Sequence, residues 1–320
     1  MGGTIASIAP IPGAGVLPTL NAGDLARAVG PLQGIDISAR PVRLMPSASF
    51  AIDDVLALAG EAEAAFAAGA VGVVVTQGTD DLEEVAFALD LLVDDTRPVV
   101  VTGAMRSADA PGADGPANLR AAVLVASSPA AMGLGTLVVM DDEVHAARFV
   151  RKTHSSRPSA FASPEAGPLG RLVEGEARFT TRVTALSLGA PVGTAPPVAL
   201  LRCALGDDGR LVQGMLDHGY RGLVVEGMGG GHVPASMVAP LEALAREVPV
   251  VLATRTGAGS VLRRSYGFAG SEIDLLARGV LSAGALEGLK ARLALALALG
   301  SSDDRAVAEA RFAAVVEAVG

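Results

Sequence analysis

A run of valines that ends abruptly in small polar residues is the part of this sequence best suited to chemistry. After Val73–Val75 the chain reads Thr76-Gln77-Gly78-Thr79-Asp80-Asp81-Leu82-Glu83-Glu84. Hydroxyls, carboxylates and backbone N–H groups at the carboxyl end of a buried strand can bind and activate a polar ligand. The same residues also suit a helix start, because Thr and Asp before an acidic first turn satisfy free N–H groups. The stretch alone leaves both interpretations open.

Small hydroxyl residues recur where other strands or loops are predicted to end. They are Thr4, Ser47, Thr79 and Thr102. A hydroxyl becomes a nucleophile only when a base activates it. The chain has no G-x-S-x-G elbow, and its four histidines show no triad spacing, so neither usual serine-hydrolase arrangement is indicated.

Lysine is the other base that this sequence offers. Among 25 basic residues only Lys152 and Lys290 are lysine, and all the others are arginine. Arginine stays protonated in proteins, so it can replace a surface lysine but not a lysine that acts as a general base. Lys152 lies in a polar loop after a predicted strand and is therefore a candidate base. The alternative is an ordinary solvated loop lysine.

Motifs for metals and nucleotides are missing or incomplete. No H-E-x-x-H pattern and no paired histidine and carboxylate set occurs, so we expect no metal. The stretch Gly227–Gly231 follows a predicted strand, but His232 replaces the third glycine of a dinucleotide fingerprint and no P-loop is present. We interpret this stretch as a turn with close backbone approach and expect no cofactor. A nucleotide-dependent enzyme is the distant alternative.

The composition narrows the classes of partner. A net charge of −9 and 3% aromatic residues argue against nucleic acid and against anionic membrane surfaces. No apolar run is long enough to span a bilayer, and no secretory signal is visible, so we expect a cytoplasmic protein. The single cysteine, Cys203, rules out an intramolecular disulfide framework.

Alternating buried strands and amphipathic helices predict an α/β protein with parallel strands. The predicted strands include residues 41–44, 70–75, 98–102, 135–140, 198–201, 222–226 and 248–253, with a ribbon near 171–180. The predicted helices include residues 21–29, 53–68, 82–92, 115–126, 211–218, 237–246, 286–299 and 304–319. Residues 8–19 are predicted to form a mobile loop. The uncharged, proline-rich stretch 183–197 predicts a linker between an N-terminal catalytic domain, 1–182, and a C-terminal domain, 198–320.

Taken together, the polar clusters resemble the bacterial-type L-asparaginase/glutaminase family. The matching motifs are Gly2-Gly3-Thr4-Ile5-Ala6, Thr76 to Glu84, Gly103-Ala104-Met105-Arg106, Ala113-Asp114-Gly115-Pro116 with Asn118-Leu119, and Lys152-Thr153. The resemblance implies two α/β domains, a larger N-terminal one with a parallel or mixed sheet and a smaller flavodoxin-like one. It also implies hydrolysis of the asparagine side-chain amide to aspartate and ammonia without a cofactor, in a homodimer or homotetramer.

The resemblance implies a role for each site residue. Thr4 would be the nucleophile that forms an ester with the substrate, and Thr79, Asp80 and Lys152 would form a second catalytic group. Ser47 would bind the α-carboxylate of the amino-acid amide, Asp80 its ammonium, and N–H groups near Thr79 and Ala104 the oxyanion. Glu272, with Tyr266 beside it, is our candidate for the acidic residue that a neighbouring subunit supplies. Its alternative role is that of a turn residue.

Two departures from the family pattern lead to further expectations. Family members have a strand before the G-G-T motif, so we expect the true start of this protein to lie upstream of Met1. Residues 8–30 contain no tyrosine, whereas the family loop commonly carries one near the nucleophile. A glutaminase or other amidase of the same fold, and a catalytically impaired amino-acid-binding relative, are the alternatives. The sequence does not reveal the preference between asparagine and glutamine.

Overall fold

The structure, a computed structural model, describes residues 2–8, 17–189 and 193–320. These residues form two compact units, Met1–Ser187 and Leu188–Gly320. The predicted linker, 183–197, spans the point where the units divide, and residues 190–192 of it lie outside the described part. Most of the loop predicted at 8–19 also lies outside it. The mobility of that loop, the domain boundaries and a strand upstream of Gly2 stay predictions.

Unit 1 is a mixed α/β unit. It contains, in chain order, β1 (Ser7–Ile8), β2 (Leu17–Pro18), α1 (Ala22–Val29), α2 (Ile52–Ala67), β3 (Val73–Thr76), α3 (Leu82–Leu92), β4 (Val99–Thr102), α4 (Gly115–Ala126), β5 (Thr136–Met140), β6 (Glu143–Ala146), β7 (Arg151–Lys152), β8 (Phe161–Ala162), β9 (Gly170–Val173) and β10 (Glu176–Phe179). Short 3-10 turns at Thr4–Ala6 and Ser47–Ser49 carry two of the candidate site residues.

The main sheet of unit 1 has the strand order β10-β9-β6-β5-β4-β3. β3, β4 and β5 are parallel, and the strands from β6 onward run antiparallel to their neighbours. β4 and β5 are completely buried because α3 and α4 pack against them, which explains their apolar runs, whereas β3 is only partly buried. The sheet is therefore mixed, and its three parallel strands end at one edge.

Unit 2 is a smaller α/β unit. It contains β11 (Val198–Arg202), β12 (Gly222–Gly227), α5 (Ala235–Glu247), β13 (Val250–Thr254), α6 (Glu272–Ala277), β14 (Leu281–Ser282), α7 (Gly288–Gly300) and α8 (Arg305–Val319). Its four strands are all parallel, in the order β11-β12-β13-β14. The two-domain α/β fold, with a mixed sheet first and a parallel sheet second, confirms the predicted fold class.

Two predicted elements are wrong. Residues 41–44 form no strand: they pair with no described strand, and Leu44 is 62% exposed. Residues 211–218 form turns rather than a helix, because Gly214 adopts a left-handed φ of 77° and the apolar residues Leu211 and Leu216 remain exposed. An apolar spacing of helical period is not enough for a helix where, as in residues 211–218, only Val212 is buried.

The glycine stretch after β12 is a tight turn. Met228 and His232 form an isolated antiparallel bridge, with Gly229 and Gly231 at left-handed φ values of 52° and 104°. A Cβ on Gly227 would lie 2.9 Å from the carbonyl carbon of Gly231, so the backbone segments touch. This geometry agrees with the interpretation as a turn of close backbone approach.

The described residues contain neither a membrane-spanning helix nor a cluster of metal-binding side chains. None of the helices found in residues 2–8, 17–189 and 193–320 is long and apolar enough to cross a membrane. Within the same ranges, no three His, Cys, Asp or Glu side chains cluster as metal ligands would.

Candidate active site

The parallel strands β3 and β4 end side by side. Thr76 pairs with Thr102 in the ladder, and the N–H of Gln77 donates to the Thr102 carbonyl at 3.1 Å. The residues that follow each strand therefore leave the sheet at the same edge, where ligands of open α/β sheets bind. The Thr102 hydroxyl is not part of this edge, because it is buried and donates to the carbonyl of Val139 at 2.7 Å.

Close packing at Gly78 brings three separate segments together. A Cβ on Gly78 would lie 2.5 Å from the Ser47 hydroxyl oxygen. A Cβ on Gly3 would lie 2.2 Å from the Gly78 Cα. Only glycine permits both approaches, and Gly3 also has a left-handed φ of 96°. Thr4, Ser47 and Thr79 thus each lie at or next to this contact.

Thr4 begins the 3-10 turn that follows Gly3. The Gly3 carbonyl accepts from the Ala6 N–H at 2.9 Å and from the Ser7 hydroxyl at 2.7 Å, which holds the turn closed. Ile5 and Ala6 are buried in the core next to α4, whereas Thr4 is only half-buried. The turn is therefore anchored from behind, and the residue with the candidate nucleophile stays accessible.

Thr79, Asp80 and Lys152 form a connected polar group. The Lys152 ammonium donates to Thr79 Oγ1 at 2.9 Å and to Asp80 Oδ1 at 2.7 Å. Thr79 is buried, and its methyl group faces Gly103 at the end of β4. The side chain of Lys152 is 15% exposed and that of Asp80 is 70% exposed. An amine held between a hydroxyl and a carboxylate can move a proton to or from that hydroxyl.

A second strand pair and a helix position Lys152. β7 pairs antiparallel with β8, with Lys152 opposite Phe161. The buried carboxylate of Glu83, in the first turn of α3, accepts a hydrogen bond from the Lys152 backbone N–H. The backbone of Lys152 is therefore bonded to α3, the helix that Thr79 and Asp80 directly precede.

The start of α3 does not use Thr79 or Asp80 as a cap. Its N-cap residue is Asp81, whose side chain makes no capping hydrogen bond. Gln77, fully buried, donates instead from Nε2 to Asp81 Oδ1 at 3.3 Å. The interpretation of the Thr79–Asp80 pair as a helix cap is therefore wrong, because the described contacts of both side chains are with Lys152.

The loop after β4 is fixed by the start of α4. The Asp114 carboxylate accepts from the N–H groups of Met105 and Arg106, each at 2.9 Å. Buried Asn118 donates to the Gly103 carbonyl at 3.1 Å and accepts from the Asp141 N–H at 3.0 Å. These contacts hold Ala104 beside the strand ends.

The loops that follow β3 and β4 each contain a backbone N–H group that can bind a ligand. Among the described residues, none accepts a hydrogen bond from the N–H of Thr79 or from that of Ala104. Both residues are buried. Fixed N–H donors of this kind suit an oxyanion site.

Four polar residues of this region had no role in the sequence interpretation. They are Gln77, Asp81, Glu83 and Asn118. Asn118 was detectable as a polar residue on the apolar face of a predicted helix. The other three lie within the Thr76–Glu84 motif. The contact of Gln77 with Asp81 is local, whereas Glu83 contacts Lys152, which is far away in sequence.

Glu272 lies in unit 2 and is completely buried. Its Oε1 accepts from the N–H groups of Ser265 and Tyr266, both at 2.8 Å, and its Oε2 lies 3.2 Å from His232 Nε2. Burial works to raise the pKa of Glu272, but these donors outweigh it and hold that pKa below its usual range. The local contacts fit a structural role, and substrate binding by Glu272 stays a prediction.

Known proteins resemble this chain over almost its whole length. The family model described as asparaginase, N-terminal, matches residues 1–185, and the one described as glutaminase/asparaginase C-terminal domain matches residues 197–312. An L-asparaginase of Bacillus licheniformis is 35% identical over 302 residues, covering 94% of each chain. A probable L-asparaginase of Deinococcus radiodurans is 37% identical, covering 95% of this chain and 92% of its own.

A solved structure and a subunit of a different enzyme also resemble this chain. The crystal structure of a probable cytoplasmic L-asparaginase from Campylobacter jejuni superimposes with a TM-score of 0.88 at 33% identity, covering 98% of this chain and 97% of the other. One subunit of the glutamyl-tRNA(Gln) amidotransferase of Methanosarcina barkeri is 33% identical, covering 90% of this chain and 68% of its own. The fold, the strand-end site and these matches agree: the chain belongs to the asparaginase family.

Proposed function

We propose that this protein hydrolyses the side-chain amide of L-asparagine to L-aspartate and ammonia through an ester on Thr4. The observation that carries the proposal is the contact of Lys152 Nζ with both Thr79 Oγ1 and Asp80 Oδ1, at 2.9 and 2.7 Å. Such a group activates a hydroxyl or water. The names of the relatives support the choice of an amino-acid amide as substrate.

The proposed first step forms the ester. The Thr4 hydroxyl oxygen attacks the amide carbon, and the developing oxyanion accepts hydrogen bonds from the N–H groups of Thr79 and Ala104. Donors fixed in this way contribute about 3 kcal/mol to transition-state stabilisation. Collapse of the intermediate breaks the C–N bond, and the leaving nitrogen takes the proton that the Thr4 hydroxyl gave up, so that it departs as ammonia.

The proposed second step releases aspartate. Water attacks the ester carbon, and its proton passes to the Thr79–Lys152 pair while Asp80 holds the resulting ammonium. The bond between the ester carbon and the Thr4 oxygen then breaks, and that oxygen takes the proton back from the pair. For this, Lys152 must first lose a proton, since a neutral amine is the base. Ser47 binds the α-carboxylate and Asp80 the α-ammonium of the substrate, so the ligand has a partner for each charge.

Ammonia release by the purified chain tests this proposal. L-asparagine and L-glutamine are supplied to the wild type, Thr4→Ala and Lys152→Met, with Thr96→Ala as a control at an exposed threonine. We expect ammonia from asparagine with the wild type and the control, and a loss of at least ~100-fold in both site variants. Ammonia release that both changes leave undiminished would overturn the mechanism.

The substrate preference is part of the same assay. Asparagine and glutamine differ by one methylene, which changes specificity by only about 1–3 kcal/mol, so either can be the better substrate. Faster ammonia release from glutamine than from asparagine would make the protein a glutaminase. Binding of asparagine without turnover by the wild type would instead favour an amino-acid-binding relative.

We further propose a homodimer or homotetramer located in the cytoplasm. The assembly is implied by the family resemblance, and the location is supported by the solved relative described as cytoplasmic. Light scattering at the concentration of the assay tests the assembly, and an active monomer would contradict it.

A further inference from the structure

Asn118 binds the peptide unit that carries one of the two proposed oxyanion donors. It lies in α4 and is 3% exposed. Its Nδ2 donates to the Gly103 carbonyl and to Asp114 Oδ2, both at 3.1 Å, and its Oδ1 accepts from the Asp141 N–H at 3.0 Å. Because a carboxylate only accepts and a backbone N–H only donates, a single orientation of the amide satisfies all three partners. The side chain of Asn118 is therefore fixed.

The direction of the Ala104 N–H follows from the contact between Asn118 and Gly103. The Gly103 carbonyl and the Ala104 N–H belong to one trans peptide unit, and in such a planar unit the two groups point in opposite directions. The hydrogen bond to the carbonyl therefore directs the N–H away from Asn118. Ala104 is completely buried, and no described residue accepts a hydrogen bond from its N–H. An oxygen of a ligand can supply that acceptor.

The peptide unit after Gly103 needs such a contact to keep its orientation. A Cβ on Gly103 would lie 2.8 Å from the Gln77 carbonyl oxygen and 3.0 Å from the Thr79 methyl carbon, so the approach of the two loops requires glycine here. Glycine also permits backbone angles that other residues avoid. The peptide unit can therefore rotate at little steric cost and turn its carbonyl to where its N–H now points. The hydrogen bond from Asn118 opposes this rotation.

The same hydrogen bond strengthens the Ala104 N–H as a donor. Hydrogen bonds in a chain polarise one another, and here the Asn118 amide, the Gly103 carbonyl and the Ala104 N–H form such a chain. A fixed, polarised N–H interacts most strongly with an oxygen that carries a full negative charge. The effect is therefore larger for an oxyanion in the transition state than for the neutral amide of a bound substrate.

We propose that Asn118 is a positioning residue for amide hydrolysis, which aims the Ala104 N–H at the oxyanion and strengthens that donor without touching the substrate. This inference rests on the proposed function, because it assumes that the Ala104 N–H binds the oxyanion. Asn118 then contributes to kcat and little to the affinity for an amino acid.

Steady-state kinetics with L-asparagine and calorimetric binding of L-aspartate test this role. Asn118→Asp keeps the size of the side chain and the acceptor for Asp141, but a carboxylate cannot donate to the Gly103 carbonyl. We expect kcat to fall by about 100-fold, the effect of losing one oxyanion donor. KM and the Kd of L-aspartate should stay close to the wild-type values, because Ser47 and Asp80, proposed to hold the charged groups of the ligand, are unchanged.

A second variant and a control accompany Asn118→Asp. Asn118→Ala removes the same donor without adding a buried charge beside Asp114, and it should show the same fall in kcat if Asn118→Asp does not fold. Asn21→Asp is the control and should behave as the wild type. Asn21 is the only other asparagine of the chain, and it caps α1, where aspartate serves equally well. A folded Asn118 variant with wild-type kcat, or one that loses kcat and L-aspartate affinity to the same degree, would overturn the inference.

The two proposals fail in different ways. A wild type that neither releases ammonia nor binds L-aspartate removes the proposed function and this inference with it. Asparagine turnover that Thr4→Ala abolishes, together with full kcat in both Asn118 variants, removes only the inference.

Discussion

The amine of Lys152 is the residue-scale centre of the candidate site. It contacts one hydroxyl and one carboxylate, and it is largely shielded from solvent. An arginine at this position would keep its charge and would bring a planar, wider head into a space shaped for an ammonium. Because arginine does not release its proton, the substitution separates the need for charge from the need for a removable proton.

Lys152→Arg should therefore abolish most activity. We expect kcat for asparagine to fall by at least ~100-fold, the scale of general-base catalysis, with a melting temperature close to that of the wild type. Arg151→Lys, a change of the opposite kind on the same strand, should keep most of the activity. A Lys152→Arg protein that retains wild-type kcat would show that no proton leaves this side chain.

The sequence predicts which catalytic residues meet at the site better than it predicts the contacts that hold those residues in place. Thr79, Asp80 and Lys152 follow from a strand end, a hydroxyl and a rare lysine, and the structure joins them directly. The contacts of Glu83 and Asn118 were not predicted, because each depends on a partner segment that folding brings close. Local spacing contains no information on such partners.

At the scale of elements, the contact between Gly3 and Gly78 sets the position of the turn that carries Thr4. The turn at Gly3 packs against Gly78 with no room for a side chain on either. Each glycine directly precedes a candidate catalytic threonine. The contact between the two backbones therefore sets the distance between Thr4 and Thr79. A methyl group on Gly3 would overlap backbone atoms, which cannot rotate away as a flexible side chain can.

Gly3→Ala should displace Thr4 from the site. We expect a fall in asparaginase activity of at least ~100-fold, because an ångström-scale shift of a reacting group costs about that much. Gly34→Ala is the matched control, since Gly34 also has a left-handed φ, 74°, but has nothing within 4 Å of its Cβ position. Both changes carry a similar backbone strain of about 1 kcal/mol, so equal activities would contradict the steric explanation.

Long buried elements were predicted well, whereas brief or mostly exposed segments were not. The parallel strands β3, β4 and β5 and the helices over them match their apolar runs and amphipathic spacing. The predictions at 41–44 and 211–218 were wrong: Leu44, Leu211 and Leu216 are exposed, and within residues 211–218 only Val212 is buried. The strand β6 and the short helix α6 escaped prediction, since each is brief and depends on pairing or capping for its stability.

At the scale of the whole molecule, buried ionisable groups link stability to pH. His145 on β6 is fully buried, and its Nδ1 lies 2.9 Å from the Ser163 hydroxyl. Burial lowers the pKa of His145 to about 4, although nearby Glu143 opposes this. Below about pH 6.5 the imidazole of His145 binds a proton in the unfolded chain but stays neutral in the folded protein until about pH 4.

The sign of this effect gives a testable pH dependence. As the pH falls from about 6.5 to 4, the unfolded chain takes up a proton that folded His145 does not, so stability is lost. The full loss from this group is ~3 kcal/mol, and none of it is present at pH 7 or above. Asp81 and Asp90, each with a pKa raised by burial to about 6, act in the opposite direction over the same range.

Comparison with a variant isolates the histidine. We expect the urea midpoint at pH 4.5, relative to that at pH 7, to be higher in His145→Gln than in the wild type, because the two proteins share the aspartates and differ only at this histidine. His218→Gln, at an exposed position, should retain the wild-type acid sensitivity. Equal acid sensitivity of His145→Gln and the wild type would show that His145 does not contribute.

The side chain that carries the substrate as an ester during turnover can be identified directly. The wild type and Lys152→Met are mixed with L-asparagine, quenched in acid within one turnover, digested and mapped by mass spectrometry. We predict an aspartyl ester on the peptide that contains Thr4, absent from Thr4→Ala and retained longer in Lys152→Met because ester hydrolysis is slowed. An ester on the peptide that contains Thr79, or unchanged turnover by Thr4→Ala, would contradict the account.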